Sequence, residues 1–298
     1  IGNIYRAELK LDEALESYKL AVKKNTEKTS QLMEQNLMVG HTLSAMGKYD
    51  EAREAYLKTI DLSINGYWRA NNYNYYTLSL LFEKKYDEAI QFLSQAQEKL
   101  KTEVPEKEIL DWGLRRIEFN KWLTFSHGQR KDEALTSQEK LNLADKETYE
   151  INLLDAVDEK EKLRLEREFK TGLLYRSAWS DILFGDYESA RNSLSKMYDI
   201  RSDRVSENPD ALNGYHALSG YLNLMEGNLD EALSMYEKRL QRGDLGEYHN
   251  YFYALSLKAS GKEEKSNKIL INIANNPFVD WQIGIVKNLA KAQIKTNL

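Results

Sequence analysis

Histidines and carboxylates are the residues of this chain whose side chains could perform acid–base or metal chemistry. The sequence has 4 histidines and 47 aspartates and glutamates, and it has no cysteine. No histidine lies four residues from another or within an HExxH arrangement, and no glycine-rich phosphate loop, GxSxG elbow or kinase signature occurs. Carboxylates on solvated helices have no apolar pocket to shift their pKa values. The sequence therefore predicts no metal site and no cofactor, and it predicts that the chain is not an enzyme.

Charge and hydropathy narrow the classes of partner. The formal net charge is -5 with both signs interspersed, so no basic stripe is available to neutralise phosphates, and nucleic-acid binding by this segment is not expected. No apolar run approaches the roughly 20 residues that span a bilayer, and we expect no signal peptide before the first repeat. The absence of cysteine excludes disulfides and fits a reducing compartment, so we expect a cytoplasmic location and no membrane partner.

The helices that would position a functional site occur as repeats along the chain. The stretch 40–60 reads GHTLSAMGKYDEAREAYLKTI. Gly47 is a helix stop, because glycine tolerates the left-handed conformation that closes a helix, and Asp50 starts a second helix. Ala52 and Tyr56 lie four residues apart, so one stripe of the second helix faces the first. The stretch therefore predicts a helical hairpin with Ala52 at the point where the two helices touch.

Seven copies of this pattern align on the residue equivalent to Ala52, which we call the anchor. The anchors are Ala14, Ala52, Ala89, Ala134, Ala190, Ala232 and Ser266. A small residue stands twelve positions before six of the anchors, namely Gly2, Gly40, Thr77, Ala178, Gly220 and Ala254. The fourth copy departs from the pattern, with Trp122 at that position and one extra residue predicted in its turn. Seven copies in one register predict a repeat architecture.

This pattern resembles the tetratricopeptide repeat, a two-helix unit of about 34 residues. The resemblance covers nearly the whole chain and implies an all-α fold, a right-handed α-solenoid of about seven hairpins plus a C-terminal capping helix. About fifteen or sixteen helices are expected, in one domain over 1–298 that is a fragment of a longer protein. The expected hairpins lie near 1–25, 29–62, 71–100, 106–144, 158–200, 208–242 and 247–275, and the expected cap is 280–296.

Three segments between and after the repeats carry further predictions. The charged run 158–170, DEKEKLRLEREFK, is predicted to be the solvated face of a lengthened helix, with a docking site as the alternative. It pairs Asp158 with Lys162 and Glu166 with Lys170, and Glu161 is a single solvated charge in it. The predicted helix start at 208–210 has asparagine as its cap. In the cap, Ile283, Val286 and Leu289 are predicted to face the stack, with Lys287, Lys291 and Lys295 in the last turns.

Proteins with such repeats act as scaffolds, and the resemblance implies that the first helix of each hairpin lines a concave groove for a peptide or a partner domain. Carried onto this register, the peptide-binding groove collects Asn3, His41, Asn74, Tyr175, Trp179, Tyr221 and Tyr251. Tyrosine and tryptophan offer large contact area, and asparagine can bond an extended backbone. The alternative is that these aromatic residues only fill the inside of a tight superhelix.

A clamp for a C-terminal carboxylate and a regulatory role are two further functions to consider, the first because of the resemblance and the second because the chain opens inside a repeat. The family's best-known groove chemistry is a clamp of lysines and asparagines for a C-terminal carboxylate. Asn3 and Arg6 match part of this clamp, but His41 and Leu78 depart from it, so a chaperone-tail clamp is not expected. A regulatory or sensor segment of a larger signalling protein, such as a bacterial transcription regulator or a protein kinase with a repeat tail, is the alternative function. The sequence upstream of Ile1 in the parent gene would decide it.

Overall fold

A computed structural model describes residues 1–25 and 30–295. These residues form fifteen α-helices and one 3₁₀ turn at Ser202–Arg204, without a strand. Helices α1 to α14 pair as seven hairpins in chain order, and α15 follows. The bounds are α1 Gly2–Ala7, α2 Leu11–Lys24, α3 Ser30–Met46, α4 Tyr49–Asp61, α5 Gly66–Leu81, α6 Tyr86–Glu103, α7 Lys107–His127, α8 Lys131–Asp155, α9 Glu159–Leu183, α10 Tyr187–Arg201, α11 Asn213–Met225, α12 Leu229–Leu240, α13 Glu247–Ala259, α14 Glu263–Asn275 and α15 Trp281–Lys295. The prediction of an all-α fold of seven hairpins and a C-terminal helix is confirmed.

The anchors lie where the two helices of each hairpin touch. All seven anchor residues are 0% exposed. A Cβ built on Gly40 would lie 2.5 Å from the Tyr56 ring, and a Cβ on Gly220 would lie 2.9 Å from the Tyr236 ring. These contacts leave no room for a side chain on the small residue, because the tyrosine occupies that space. The small residue and the aromatic residue found by spacing therefore face each other across the hairpin.

The seven hairpin turns share one backbone conformation. The residue five positions before each anchor has a φ between 58° and 81°, and the amide after it donates to a carbonyl five residues back. This is the Schellman arrangement that ends a helix. The seven positive-φ residues are Leu9, Gly47, Lys84, Gln129, Gly185, Gly227 and Gly261. The prediction of an extra residue in the fourth turn is wrong. The left-handed residue of this turn is Gln129, which lies five positions before the anchor Ala134 as in the other copies, and it is not the neighbouring Gly128.

Several predicted hairpin ends differ from the observed ones. The third hairpin begins at Gly66 and not at 71, because the Asn65 side chain caps α5 by accepting a bond from the Trp68 amide at 3.0 Å. Helix α8 continues to Asp155, beyond the predicted end at 144. The predicted ends at 29 and 296 lie outside the described residues.

The segment before the sixth hairpin is a turn and not a helix start. The Asn208 side chain accepts a bond from the Asp210 amide at 3.0 Å, which closes a local turn, and α11 begins only at Asn213. The helix start predicted at 208–210 is therefore wrong. Asparagine followed by proline favours both kinds of structure, and the sequence pattern did not separate them.

The charged run forms the first half of α9, as predicted, and its ion pairs are partly different. Lys170 bonds Glu166 at 2.5 Å, but Lys162 lies 3.7 Å from Glu159 and not beside Asp158. The Asp158 carboxylate instead caps the helix through the Glu161 amide at 2.7 Å. The Glu161 carboxylate accepts in turn from the amide of Val157, the residue before the cap, at 3.1 Å. Glu161 is therefore not a single solvated charge, because it helps to start α9.

The chain divides into two compact units. Unit 1 contains Ile1–Thr124 and Leu270–Leu298, and unit 2 contains Phe125–Ile269. In unit 1 each helix from α1 to α5 packs on the next one, and in unit 2 each helix from α8 to α12 does the same. Helix α15 belongs to unit 1, where it packs on α5. The single domain over 1–298 stays a prediction, and the two units are described separately.

Candidate functional site

The first helices of the hairpins in unit 1 carry three of the residues predicted to bind a peptide. Asn3 is exposed, and its side-chain oxygen accepts a hydrogen bond from the Tyr18 hydroxyl. His41 is only 6% exposed, and its Nδ1 lies 3.0 Å from the Tyr56 hydroxyl. The edge of its ring contacts Tyr75 at a centroid distance of 4.5 Å. His41 thus lies beneath the surface that the first helices form, whereas Asn3 lies on it.

Burial controls the charge of His41. The pKa of its imidazole is lowered from 6.5 to about 3, first because the ring is removed from water and second because of the nearby positive charge of Arg6. His41 is therefore neutral at physiological pH. A neutral imidazole offers one donor and one acceptor and no charge for a partner's carboxylate.

Asn74, the third predicted residue of unit 1, connects two first helices. Its side-chain oxygen accepts a hydrogen bond of 2.8 Å from the side-chain amide of Asn120 on α7. Both side chains are buried. The Thr124 hydroxyl then donates to the Asn120 carbonyl at 2.6 Å. Asn74 is therefore held in place by polar contacts within the unit.

The C-terminal segment of the chain lies across these same first helices. Its contacts begin with the Arg6 guanidinium of α1, 5.5 Å from the centroid of the Phe278 ring. The edge of Trp281 meets Phe119 of α7 at 6.1 Å. A Cβ built on Gly284 would lie 3.7 Å from the Leu78 carbonyl of α5. We call the surface of α1, α3, α5 and α7 that contacts residues 278–290 the docking face.

Lys287 is the buried polar centre of this contact. The residue is 1% exposed, and its ammonium donates to the Ala45 carbonyl at 3.3 Å and to the Asn276 carbonyl at 2.7 Å. Ala45 is in the last turn of α3, where carbonyls lack partners within the helix and the helix dipole favours a cation. Burial and, second, the positive charge of Lys291 together lower the pKa of Lys287 to about 8.

Asn288, the next residue, makes the corresponding contact with the following hairpin. Its side-chain amide donates to the Phe82 carbonyl at the C-terminus of α5, at 2.7 Å, and to the Tyr49 hydroxyl at 3.0 Å. The Tyr49 ring stacks on Phe82 at 5.1 Å. Adjacent residues of α15 thus bind the C-termini of two successive first helices. Ile283, Val286 and Ala290 complete the contact with fully buried side chains.

The prediction of which residues of α15 face the stack is therefore correct for two residues, and it omits others that make the contact. Ile283 and Val286 face the packed side, as predicted, and Leu289 is only half-buried. Lys287, predicted simply as a last-turn lysine, is in the contact itself. The helix binds the first helices of unit 1 because Gly284 allows close approach and the lysine reaches free carbonyls.

The first helices of unit 2 carry an aromatic cluster around Tyr248. The Trp179 indole donates to the Tyr248 hydroxyl at 3.1 Å, and the two rings meet edge to face at 5.1 Å. The Tyr175 hydroxyl lies 3.2 Å from His249 Nε2. Burial raises the pKa of Tyr175 to about 12 and lowers the pKa of His249 to about 4. These groups therefore form a neutral hydrogen-bonding network between α9 and α13.

Tyr221 and Tyr251, the other two predicted residues, flank Phe252. The Tyr221 ring lies 4.0 Å from the Phe252 ring, and the Tyr251 ring meets it edge-on at 5.3 Å. Both tyrosines are buried, and Phe252 is half-buried. Tyr175, Trp179 and Tyr221 are therefore brought together through Tyr248, and Tyr251 joins them through Phe252.

Sequence reasoning missed four residues of these two arrangements. Tyr248 and Phe252 lie one helical turn apart on α13, a spacing that could have marked them as members of the aromatic stripe that contains Tyr251. Lys287 and Asn288 follow Gly284 by three and four positions on one helix face. The glycine inside an apolar helix was the signal for a close approach to another element.

Among the residues that the structure describes, no group of three or more histidine, cysteine, aspartate or glutamate side chains is placed to hold a metal ion. In the same parts of the chain, no helix is both long enough and apolar enough to cross a bilayer.

Comparison with known proteins gives one family match. The sequence profile of the tetratricopeptide repeat matches residues 36–63, which lie in the second hairpin, so the predicted resemblance is confirmed there. This match supports a general role in protein–protein interaction. No curated protein matches. Among solved structures, the TPR domain of P58(IPK) matches with 14% identity over 99% of this chain and 97% of that one, at a TM-score of 0.27.

Proposed function

Because the chain contains a tetratricopeptide repeat, we propose that it is a protein–protein interaction scaffold whose first helices hold a peptide or helix of a partner. One observation carries the proposal. The first helices of unit 1 already hold residues 278–290 of the chain itself, most of which belong to helix α15, through ring contacts, apolar packing and hydrogen bonds to backbone carbonyls. A surface that holds one helix in this way has the chemistry to hold another.

The predicted groove residues would form the floor of the binding surface in each unit. The floor comprises Asn3, His41 and Asn74 in unit 1 and Tyr175, Trp179, Tyr221 and Tyr251 in unit 2. Most of these side chains are buried and bonded to neighbours, so they fix the shape of the surface. Their half-exposed neighbours on the same helices, such as Phe252, would touch the partner.

A regulatory or sensor segment of a larger signalling protein stays the alternative. The cytoplasmic location, the absence of nucleic-acid and membrane partners and the absence of catalysis also stay predictions. A scaffold function requires a bound protein, so the direct test is to find which helices that protein touches.

Photo-crosslinking at two matched positions of the sixth hairpin tests the proposal. Met225 on the first helix is 44% exposed and follows Tyr221 by one turn, and Leu240 on the second helix is 38% exposed. A benzophenone amino acid would replace one residue or the other in the full chain, expressed in its native cells. We expect specific adducts with a partner protein from position 225 and not from position 240. Equal adducts at both positions, or none at 225, would contradict binding by the first helices of unit 2.

A further inference from the structure

We infer that the docking face of unit 1 is a receptor for an amphipathic helix of a partner protein, and that α15 occupies it as an internal competitor. The partner helix would carry a small residue, a lysine three positions later and an asparagine four positions later, as Gly284, Lys287 and Asn288 do in α15. This inference rests on the proposed function and specifies its partner for unit 1.

The polar part of the recognition follows from the ends of the first helices. The last carbonyls of any helix lack partners within it and need donors from elsewhere. On the docking face these are the Ala45 carbonyl of α3 and the Phe82 carbonyl after α5, which accept from Lys287 and Asn288 respectively. A carbonyl selects only for a donor, and the negative end of a helix dipole favours a cationic one. An acidic side chain at either position would be repelled.

The apolar part sets the shape of the partner. Ile283, Val286 and Ala290 recur at spacings of three and four and are fully buried. At Gly284 a Cβ would touch the Leu78 carbonyl at 3.7 Å and the Leu78 side chain at 3.8 Å. Glycine or alanine fits at this position, but a larger side chain would separate the helix from α5.

Two features make α15 exchangeable rather than a permanent part of the core. Only residues 276–280 join it to α14, so a released α15 stays attached without requiring the hairpins to unfold. The Lys287 ammonium is buried against neutral carbonyls, and the cost of removing this charge from water offsets part of what its two hydrogen bonds contribute. The short tether gives α15 an effective concentration of the order of millimolar, so the intact chain should bind a competing helix poorly.

The test therefore compares full-length chains in which α15 is docked or released. Val286→Asp places a charge at a fully buried position of α15, and Ala292→Asp makes the same change at an exposed position of the same helix. The probe is a fluorescent peptide with the sequence of residues 278–295, followed by anisotropy. We expect the Val286→Asp chain to bind it at least tenfold more tightly than the wild-type and Ala292→Asp chains. Equal affinity in all three would overturn the inference.

A second pair of probes tests the stated chemistry. A peptide with both Lys287→Met and Asn288→Leu should bind the Val286→Asp chain at least tenfold more weakly than the native peptide, because two helix-terminal carbonyls lose their donors. A peptide with Ala292→Asp should bind like the native one. Equal binding by all peptides would overturn recognition through the lysine and the asparagine. Circular dichroism and a cooperative melt verify folding, and Gly284→Leu replaces Val286→Asp if that chain does not fold.

An engineered disulfide tests whether α15 occupies the face of its own chain. The sequence has no cysteine, so Leu78→Cys with Gly284→Cys introduces the only pair. The Cβ atoms of these positions would be 4.0 Å apart, within the range of a disulfide. We expect a disulfide within one chain on mild oxidation. A disulfide between two chains, or none, would overturn the assignment of α15 as the internal occupant. Crosslinking at Met225 in unit 2 does not depend on this result, so the two proposals fail separately.

Discussion

The two units build the same hairpins and complete their first-helix surfaces differently. Their anchors are equally buried and their turns have the same conformation. In unit 1 the first helices are contacted by α15, which bonds the carbonyls of Ala45 and Phe82. In unit 2 the first helices bond to one another through Trp179, Tyr248 and Tyr175. The repeat therefore fixes how two helices pair, and the residues next to the pairing positions decide what the first helices bind.

The largest expected difference between the two units is their loss of stability in acid, which follows from the titration of their buried histidines. Burial lowers the pKa of His249 and His127 in unit 2 from 6.5 to about 4, and that of His41 in unit 1 to about 3. A group whose pKa is lower in the folded state stabilises that state above pH 6.5, and this stability is lost as the pH falls toward the folded-state value. At pH 5 each fully buried histidine should cost roughly 2 kcal/mol, and His127 less because its ring is partly exposed.

Fluorotryptophan NMR measures this difference, because Trp179 is the only tryptophan of unit 2 in the sequence. Between pH 6.5 and 4 its folded signal should disappear before that of Trp122 in unit 1. The control is His127→Phe, which removes one titrating group whose Nε2 is among the buried side-chain atoms without a hydrogen bond. It should move the acid midpoint of the Trp179 signal to lower pH. Loss of the Trp122 signal first, with no shift in the variant, would contradict the prediction.

Overpacking at the anchors should affect both units alike. Ala52→Leu in unit 1 and Ala232→Leu in unit 2 each place a larger side chain where paired helices touch, and each should destabilise the chain by roughly 1–3 kcal/mol. Ala259→Leu, at an exposed position at the end of α13, is the matched control and should change stability by less than about 0.5 kcal/mol. Urea denaturation measures all three. Equal losses for Ala259→Leu and Ala232→Leu would show that the assigned register is wrong.

The buried lysine should make the contact of α15 depend on pH in the opposite direction to acid unfolding. Lys287 has a pKa of about 8 when docked and an ordinary value of 10.5. Between these values only the released state binds the proton, so docking strengthens as the pH rises from 8 to 10, by roughly 1–2 kcal/mol. Burial also raises the pKa of the nearby Tyr49.

Trp281 lies in α15, so its fluorotryptophan signal in urea reports this docking directly. Lys287→Met removes the titrating group while keeping the length of the side chain, and it should abolish the gain between pH 8 and pH 10. If the variant kept the full pH dependence, groups other than Lys287 would be responsible.

The pairing of helices could be predicted from the sequence because it rests on local spacing. Ala52, Tyr56 and Gly40 recur at fixed distances, and those distances translate directly into contacts within one hairpin. The residues predicted to line the groove were chosen with the same register, and the structure places four of them in one aromatic cluster. Local periodicity therefore gave the hairpins and the residues beside the pairing positions.

The binding of α15 could not be predicted in the same way, because it joins residues that are far apart in the sequence. Lys287 and Ala45 are separated by 242 positions, and no repeat spacing connects them. The apolar stripe of α15 predicted only that some surface would cover it. The fourth turn shows a second limit of prediction from sequence. Glycine is the residue that most often adopts the left-handed conformation at a helix end, but in this turn Gln129 adopts it and the neighbouring Gly128 does not.

The smallest expected effect comes from the hairpin turns whose left-handed residue is not glycine, namely Leu9 and Lys84 in unit 1 and Gln129 in unit 2. Lys84 in unit 1 and Gln129 in unit 2 both have φ of 58°, a conformation that costs a residue with a side chain roughly 1 kcal/mol relative to glycine. Lys84 is exposed, so Lys84→Gly should stabilise the chain by about 0.5–1 kcal/mol in urea denaturation. Gln129 also donates weakly to the Ser126 and Leu183 carbonyls, at 3.3 and 3.5 Å, so Gln129→Gly should gain less. The reverse change, Gly185→Ala, meets no atom within 4 Å and should lose about 1 kcal/mol through backbone conformation alone. A loss of stability on Lys84→Gly would mean that this turn does not share the conformation of the glycine turns.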